Sequence, residues 1–255
     1  HPIFRQAGMK PKTYTFVQSK ILKHCVLKKI LLLTKNFFLM IKALRALWLQ
    51  LFQILLPPRE SICLLKNNKV LLASSNQGKI REFKKIFKGF DVISQVDLGI
   101  DDAVEDGISF FENALKKARH GSNKSGLLTI ADDSGLVVPE LDYEPGIYSA
   151  RYAGEGASDK DNRDKIINQL NKKNVSSLDA FYICVLVGVR SDSDPIPLYS
   201  VGEIHGRIST KNSGDGGFGY DKIFYPNGYD VSMASIDPEE KNKISHRAIA
   251  AKSFI

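Results

Sequence analysis

Cysteine is scarce in this chain of 255 residues. Its three cysteines, Cys25, Cys63 and Cys184, lie far apart, and no two of them form a CxxC pair. Neither a disulfide framework nor a cysteine-based zinc site is therefore expected. This usage fits a reducing compartment best, and we predict a cytoplasmic protein.

Long apolar runs are also missing. In the apolar N-terminal quarter, the longest run without charge or proline is Ala46–Leu56, with eleven residues, whereas a membrane-spanning helix needs about 20. Hydrophobic residues make up 43% of the chain and charged residues 25%, as in ordinary globular proteins. This composition argues against a collagen, wholesale disorder and a polytopic membrane protein.

Acidic residues are absent from residues 1–59, which carry eleven Lys and Arg. The remaining residues carry 25 basic and 28 acidic side chains, so the net charge of +8 belongs to the first quarter of the chain. Because the rest has no excess of positive charge, no nucleic-acid partner is expected.

The apolar, lysine-rich segment 20–56 contains neither Gly nor Pro, and this pattern predicts a basic helix. Three interpretations stay open: a membrane-surface helix, a targeting presequence in which Lys unusually outnumbers Arg, or a segment outside the working protein. We predict that residues 1–67 form a helical or disordered extension outside the catalytic fold. Residues 68–255 are predicted to form one domain.

Strands and helices alternate after residue 68. Ser109 and Glu112 have the spacing of a capping box, which predicts a helix start. A strand at 128–131 is expected to end in Asp132 and Asp133. The alternation, followed by clustered strands, implies an α/β domain with a mixed sheet. The other predicted strands are 69–74, 92–94, 179–190 and 199–208, and the predicted helices are 78–88, 109–120, 158–173 and 238–251.

Two polar clusters follow predicted strands. In Ser74–Lys79, backbone N–H groups and a helix N-terminus suit a phosphate, although the P-loop spacing is absent and simple helix capping is the alternative. Asp132 and Asp133 are adjacent carboxylates, which need a cation or hydrogen bonds. They suit magnesium, with Glu105 and Glu112 as possible further carboxylates, and an Asx turn is the alternative.

Two more clusters lie near the C-terminus. The glycines of Gly214–Asp221 permit close backbone approach, and its aromatic residues offer faces for stacking a planar base; a flexible hairpin loop is the alternative. On a continuous helix, Lys241, Ser245 and His246 share a broad face with Arg247 at its edge, which suits a phosphate or an oxygen-rich planar group. The four clusters together predict a magnesium-dependent nucleotide site.

Five motifs occur in order: SNQGK-x2-EF, ADDSGL, PGIYSARYAGEGA, GGFGYD-x-IF and EKN-x-ISHR. From Lys69 to Ile255, the chain resembles the inosine triphosphate pyrophosphatase family (XTP/dITP diphosphatases). The resemblance implies an α/β fold with an elongated mixed sheet and flanking helices in two lobes around a nucleotide cleft. It also implies a homodimer, a Mg2+ cofactor, and hydrolysis of ITP, dITP and XTP to the monophosphate and pyrophosphate.

The resemblance assigns roles by motif. The substrate's triphosphate would be held by Ser74, Ser75, Asn76, Gly78 and Lys79, and Ser134 would also contact the substrate. The catalytic residues would be Asp133 and Lys79, and the metal ligands would be Asp133 and Glu105. The base pocket would comprise Phe218, Gly219, Tyr220, Asp221, Lys241, His246 and Arg247.

The chain departs from the family pattern at several positions. Ser74 stands for the usual Thr, Val104 for the first of two acidic residues, Asp142-Tyr143 for a Gly-Gly pair, and Lys222 for Pro. Two other functions are weighed: a related pyrophosphatase that acts on dUTP or modified pyrimidines, and a nucleotide-binding or membrane-tethered module without turnover.

Overall fold

Six strands form one mixed sheet in residues 69–254, which are the residues that this computed structural model describes. They are β1 (Lys69–Leu72), β2 (Asp91–Ser94), β3 (Thr129–Val137), β4 (Ser177–Val189), β5 (Leu198–Ser209) and β6 (Phe224–Pro226). The spatial order is β2-β1-β3-β4-β5-β6, parallel up to β3 and antiparallel beyond it. The prediction of an α/β fold with a mixed sheet is confirmed. The predicted helix over 20–56 lies outside the described residues.

Five α-helices flank the sheet in the described part: α1 (Gln77–Ile86), α2 (Phe110–Ser125), α3 (Asp159–Lys172), α4 (Pro238–Ile244) and α5 (His246–Phe254). Short 3-10 helices occupy Val96–Leu98, Pro139–Leu141, Gly146–Arg151 and Met233–Ser235. Within residues 69–254, no helix has the length and apolar character to cross a membrane.

Side-chain caps fix where the first two helices begin. The Asn76 side chain accepts a hydrogen bond from Lys79 N (3.1 Å) at the start of α1. Ser109 Oγ accepts one from Glu112 N (3.2 Å) at the start of α2. The reciprocal bond of the predicted capping box differs, because the Glu112 carboxylate accepts from Ile108 N (2.7 Å) rather than from Ser109 N.

Strand alternation directs the core to both faces of the sheet. On one face, α1 and α5 cover large apolar residues that include Leu72, Phe83 and Leu186. On the other face, α2 packs with small residues such as Ala114 and Ala118 against β3 and β4. The small side chains let α2 lie close to the sheet, which brings its polar face towards β3.

Strand β3 continues through Asp132 and Asp133 instead of ending there, so this part of the prediction is wrong. β1 pairs with β3 only at Thr129 and Ile130. β4, however, pairs with all nine residues of β3, from Thr129 to Val137. The two carboxylates therefore lie in mid-strand and point to opposite faces of the sheet.

The predicted single helix over 238–251 is also wrong, because Ser245 interrupts it. Ser245 has extended backbone angles (φ −65°, ψ 152°), and its Oγ accepts a hydrogen bond from Ala248 N (3.2 Å) as an N-cap of α5. His246 is consequently the first residue of a new helix rather than part of a continuous face with Lys241.

Candidate active site

A cavity of about 650 Å³ opens where β1, β3 and α2 meet the glycine-rich loop. Of the predicted site residues, only Gly78 and Lys241 do not line it. The predicted residues that line it are Ser74, Ser75, Asn76, Lys79, Glu105, Asp133, Ser134, Phe218, Gly219, Tyr220, Asp221, His246 and Arg247. The fold thus brings together four clusters that are separated by up to 170 residues in the chain.

The Ser74–Lys79 loop forms one end of the cavity. Asn76 caps α1, so the capping interpretation holds for its side chain, while the helix N-terminus still faces the cavity. Ser75 Oγ donates to Asp102 Oδ2 (3.0 Å), and Gln95 donates to the other carboxylate oxygen of Asp102. These bonds fix the loop within the cavity wall and involve none of the backbone N–H groups at the helix N-terminus, which suit an anion.

Lys117 on α2 joins the two carboxylates that were predicted to bind metal. Its Nζ lies 2.8 Å from Glu105 Oε1 and 3.3 Å from Asp133 Oδ1. Asn113, one turn earlier, donates to Asp133 Oδ2 (3.2 Å). Burial alone would lower the pKa of Lys117, but Asp133, Asp132 and Glu105 outweigh it and raise that pKa. Lys117 is therefore charged.

Burial raises the pKa of Asp133, and the nearby cations Lys117 and Lys79 offset this rise only in part. The pKa of Glu105 is lowered, because Lys117, Lys79 and Arg151 outweigh the effect of its burial. The two neighbouring acids therefore differ, and Asp133 is the one whose charged form is disfavoured.

Glu105 and Asp133 fit a magnesium ion. Their oxygens converge on the position of a single cation, Lys117 Nζ. Magnesium is usually held by one or two carboxylates, with water and substrate phosphates completing its shell. Within residues 69–254, no group of three or more His, Cys, Asp or Glu has the arrangement of a metal site.

Asp132 points away from Asp133 and lies fully buried between two cations. Lys79 Nζ is 3.0 Å from its Oδ2, and Arg247 Nε is 3.7 Å from the same atom. Burial would raise the pKa of Asp132, but Lys79 and Arg247 hold it well below its usual range. This carboxylate therefore holds Lys79 and Arg247, which both line the cavity.

The Phe218 ring lines the cavity beside the Ser74–Lys79 loop. Lys241 Nζ and Arg247 Cζ each lie 5.1 Å from its centroid, as in cation–π contacts. Gly78 packs so closely against the ring that a Cβ there would lie 2.9 Å from Phe218 Cδ1. Gly78 thus contributes through close approach to Phe218 and does not line the cavity itself.

Asp221 is engaged within the protein. Its carboxylate accepts hydrogen bonds from Phe218 N (2.9 Å), Lys241 Nζ (2.8 Å) and Tyr182 Oη (3.3 Å). Lys241 in turn lies 3.0 Å from Glu82. Asp221 and Lys241 therefore brace the Phe218 loop from behind.

His246 is buried against Tyr182, with parallel rings whose centroids are 4.7 Å apart. Neither ring nitrogen has a hydrogen-bond partner among the residues that the structure describes. Burial, together with Arg247 and Lys241, lowers the pKa of His246 well below its usual value. The imidazole is therefore neutral, and it offers one donor and one acceptor to the cavity.

Several site residues were missed by the sequence analysis. Glu82 holds both Lys241 and Arg247 (Nη1 at 2.9 Å), and it could have been found, since it belongs to the first motif. Lys117 lies four residues after Asn113 and so on the same helix face, but nothing in the sequence places that face beside Asp133.

The fold and the site define an α/β protein with a polar cavity, which is lined by the N-terminal end of α1, by the carboxylates Glu105 and Asp133, and by aromatic residues of the glycine-rich loop. The chain belongs to the Ham1 family, whose model matches residues 70–255. The resemblance inferred from the motifs is thereby confirmed.

Individual relatives agree with this membership. A protein of Legionella pneumophila (strain Paris) named dITP/XTP pyrophosphatase is 46% identical to this chain over 182 residues, which cover 71% of this chain and 94% of the relative. In Acinetobacter baumannii (strain ACICU) the identity is 47% over 191 residues (72% and 92%). These names describe hydrolases, in agreement with the predicted enzyme class.

Solved structures agree as well. The HAM1 protein from Coxiella burnetii superimposes with a TM-score of 0.67 at 37% identity, covering 72% of this chain and 95% of that one. The Staphylococcus aureus Ham1 protein superimposes with a TM-score of 0.64 at 40% identity, covering 72% of this chain and 95% of that one.

Proposed function

We propose that this protein hydrolyses the nucleoside triphosphates of deaminated purines, ITP, dITP and XTP, to the monophosphate and pyrophosphate. The observation that carries this proposal is the single cavity that links an anion-binding helix end and a carboxylate pair to an aromatic pocket with a neutral histidine. The names of the relatives support the same reaction class.

Water attack on the α-phosphorus is the proposed chemical step. Cys184 is completely buried in β4, and burial raises the pKa of its thiol, so it does not serve as a nucleophile. Asp133 faces the cavity and would orient the water and accept its proton. Lys79 and Lys117 would offset the charge that develops on the phosphate oxygens. A bound Mg2+, held by Asp133 and Glu105, would supply further charge neutralisation.

Base selection follows from the donors at the aromatic end. Hypoxanthine and xanthine carry an acceptor oxygen at C6, where adenine carries a donor amine. Arg247 and the neutral His246 provide N–H groups that would pair with this oxygen. With adenine these buried donors would lose their partner, and such a mismatch costs orders of magnitude in rate.

We also infer a homodimer, because apolar side chains remain exposed on one face of the sheet. Tyr199 and Val201 are 48% and 45% exposed on β5, and Phe111 at the start of α2 contacts Tyr199 edge to face (5.5 Å between centroids). Contiguous exposed apolar side chains are typical of protein interfaces. We call these three residues the β5 patch.

The roles of the N-terminal region and of the compartment remain proposals. Residues 1–67 would lie outside a catalytic domain of residues 68–255, membrane contact would involve residues 20–56, and the enzyme would act in the cytoplasm. The basic charge of residues 1–59 is consistent with contact with an anionic membrane surface.

Pyrophosphate release tests the function. The full chain and residues 60–255 are assayed with ITP, XTP, dUTP, GTP and ATP, with magnesium and with EDTA. We expect fast, magnesium-dependent release from ITP and XTP by both proteins, with slow release from GTP and ATP. Preference for dUTP would indicate a pyrimidine pyrophosphatase. The absence of pyrophosphate release by both proteins with every nucleotide would contradict the proposed activity.

A further inference from the structure

Gly219 lies between Phe218 and Tyr220 in the wall of the cavity, and both of its backbone polar groups bind charged side chains from α3. Gly219 N donates to Asp159 Oδ2 (2.7 Å). Gly219 O accepts from Arg163 Nη1 (2.7 Å). The two side chains are four residues apart and so lie on one face of α3. Together, the two side chains restrain Gly219 through both its N–H group and its carbonyl oxygen.

Asp159 and the segment before it line the cavity, as do Phe218, Gly219 and Tyr220. The two bonds therefore join α3 to the Phe218 loop within the cavity wall. A third bond, from Tyr220 Oη to Ser149 O (2.8 Å), joins the same loop to another part of the wall. The base end of the cavity is therefore closed by side chains that lie far from the Phe218 loop in sequence.

Gly219 needs this restraint more than its neighbours do. It has a positive φ of 59°, and the position that a Cβ would take is open, with nothing within 4 Å, so no neighbour packs against that side of the residue. Phe218, by contrast, is fixed by Asp221 and by contact with Gly78. A glycine that is free in the unbound state loses more backbone entropy on ordering than any other residue.

We propose that Asp159 and Arg163 are positioning residues for base recognition: they order Gly219 in advance, and so fix the backbone that joins Phe218 to Tyr220 in the wall where a purine would stack. This inference rests on the proposed function, because it assumes that the base binds at Phe218. It concerns binding rather than chemistry, since Asp159 and Arg163 contact Gly219 rather than the carboxylates Asp133 and Glu105.

A restraint at the base end has a defined kinetic signature. Contacts with the base are the same in the ground state and in the transition state, so their loss raises KM and leaves kcat unchanged. For Asp159→Ala and Arg163→Ala we expect KM for ITP to rise about tenfold, with kcat within about threefold of the wild type. A general loss of folding would instead lower the active fraction, and hence kcat, without raising KM.

Two ligands separate the base end from the phosphate end. Calorimetric titration of the full chain with IMP, which carries the base, should show affinity lowered about tenfold in both variants. Titration with inorganic triphosphate, which has no base, should give wild-type affinity. The matched controls are Asp164→Ala and Lys160→Ala, which remove the same charges from an exposed ion pair on the same helix, and both should resemble the wild type.

Each other result overturns the inference. Unchanged IMP affinity in Asp159→Ala and Arg163→Ala would show that Gly219 needs no support from α3. Equal loss of IMP and triphosphate affinity would show that the two residues organise the whole cavity. Failure of the wild type to bind IMP would contradict the assumption that the base binds at Phe218. Failure of the proposed function is recognised separately, by wild-type protein that binds IMP and releases no pyrophosphate from ITP.

Discussion

At the scale of single residues, the neighbours Asp132 and Asp133 show how one strand gives two identical side chains different chemistry. Alternation along β3 points Asp132 towards Lys79 and Arg247, and Asp133 towards Asn113 and Lys117. The pKa of Asp132 is lowered by its cations, whereas burial raises that of Asp133. Asp132 is thus a fixed counter-ion, and Asp133 is suited to exchange a proton.

Replacing Asp133 with Asn tests its role directly. We expect Asp133→Asn to abolish pyrophosphate release from ITP and to leave IMP binding largely intact, because the amide keeps the shape of the side chain but accepts no proton. The measurements are stopped-time pyrophosphate assays and calorimetry, with Asp91→Asn at the exposed start of β2 as the control. Near-normal hydrolysis by Asp133→Asn would remove this residue from the mechanism.

His246 should make stability depend on pH. Its pKa is lowered well below the usual 6.5 in the folded protein, so below pH 6.5 the unfolded chain binds a proton that the folded chain does not. The contribution of the neutral His246 side chain to the free energy of unfolding is therefore fully present above pH 6.5 and is lost as the pH falls below it. Between pH 7.5 and 5.5 this loss amounts to roughly 1.4 kcal/mol.

The variant His246→Gln isolates this contribution. Urea unfolding of wild type and variant at pH 7.5 and 5.5 gives four free energies of unfolding. The decrease between the two pH values should be smaller in the variant by roughly 1.4 kcal/mol, even if Gln lowers stability at both. The same decrease in both proteins would mean that His246 is protonated as readily when folded as when unfolded.

At the scale of elements, helix α5 depends on the absence of a side chain in β5. A Cβ on Gly202 would collide with the backbone of α5, at His246 O and Ala250 N. Neither atom can move without moving the helix. The position of His246 and Arg247 in the cavity is therefore set by this contact between α5 and β5.

The substitution Gly202→Ala should accordingly harm both stability and activity. Forcing a methyl group into a packed contact costs typically 1–3 kcal/mol, and we expect a loss in that range or above it, with a fall in ITP turnover as α5 shifts. Chemical denaturation and the pyrophosphate assay measure the two effects. The control is Glu203→Ala, at the next and exposed position of β5. Wild-type stability in Gly202→Ala would show that α5 adapts freely.

The turn after β3 contains the Asp142-Tyr143 pair, which stands where the family resemblance leads one to expect Gly-Gly. Both residues have positive φ, 53° and 65°, the region that glycine adopts without strain. Tyr143 is 66% exposed, so few contacts are lost with its side chain. We expect Tyr143→Gly to raise the free energy of unfolding by about 0.5–1 kcal/mol.

The matched control for this substitution is Tyr148→Gly. Tyr148 is similarly exposed (55%) but lies in the 3-10 helix Gly146–Arg151 and has no positive φ. Glycine there should lower stability by about 0.5–1 kcal/mol. Thermal and urea unfolding compare the two variants, and equal losses in both would mean that the turn stores no backbone strain.

These elements also show what sequence patterns can predict. The long strands β4 and β5 and the helices α1 to α3 follow from local periodicity and caps, and they were predicted within a few residues of their ends, except that α2 runs five residues further. The course of β3 past Asp132 depends on pairing with β4, and the break at Ser245 accompanies the packing of α5 on Gly202. The meeting of Lys117 with Asp133 likewise requires the tertiary structure, so no local pattern reveals it.

At the scale of the whole molecule, charge is divided along the chain rather than around the cavity. Residues 1–59 hold the positive excess, while the cavity-lining cations Lys117, Lys79 and Arg247 are each paired with a carboxylate, Lys117 with Glu105 and the other two with the buried Asp132. For the proposed triphosphate substrate, these oriented groups would supply the attraction, and a general positive surface would not be required. For this reason, removal of residues 1–59 should leave the nucleotide preference unchanged.

The β5 patch gives a test of the proposed homodimer. In a two-fold symmetric contact the same patch of both copies is buried, so Val201→Glu would place two carboxylates in the apolar interface. We expect wild-type protein to have twice the chain mass of 28.4 kDa in light scattering, and Val201→Glu to have the mass of one chain. Val201→Thr, which keeps the shape without the charge, should remain a dimer. A dimeric Val201→Glu would place the interface on another face, and a monomeric wild type would contradict the homodimer itself.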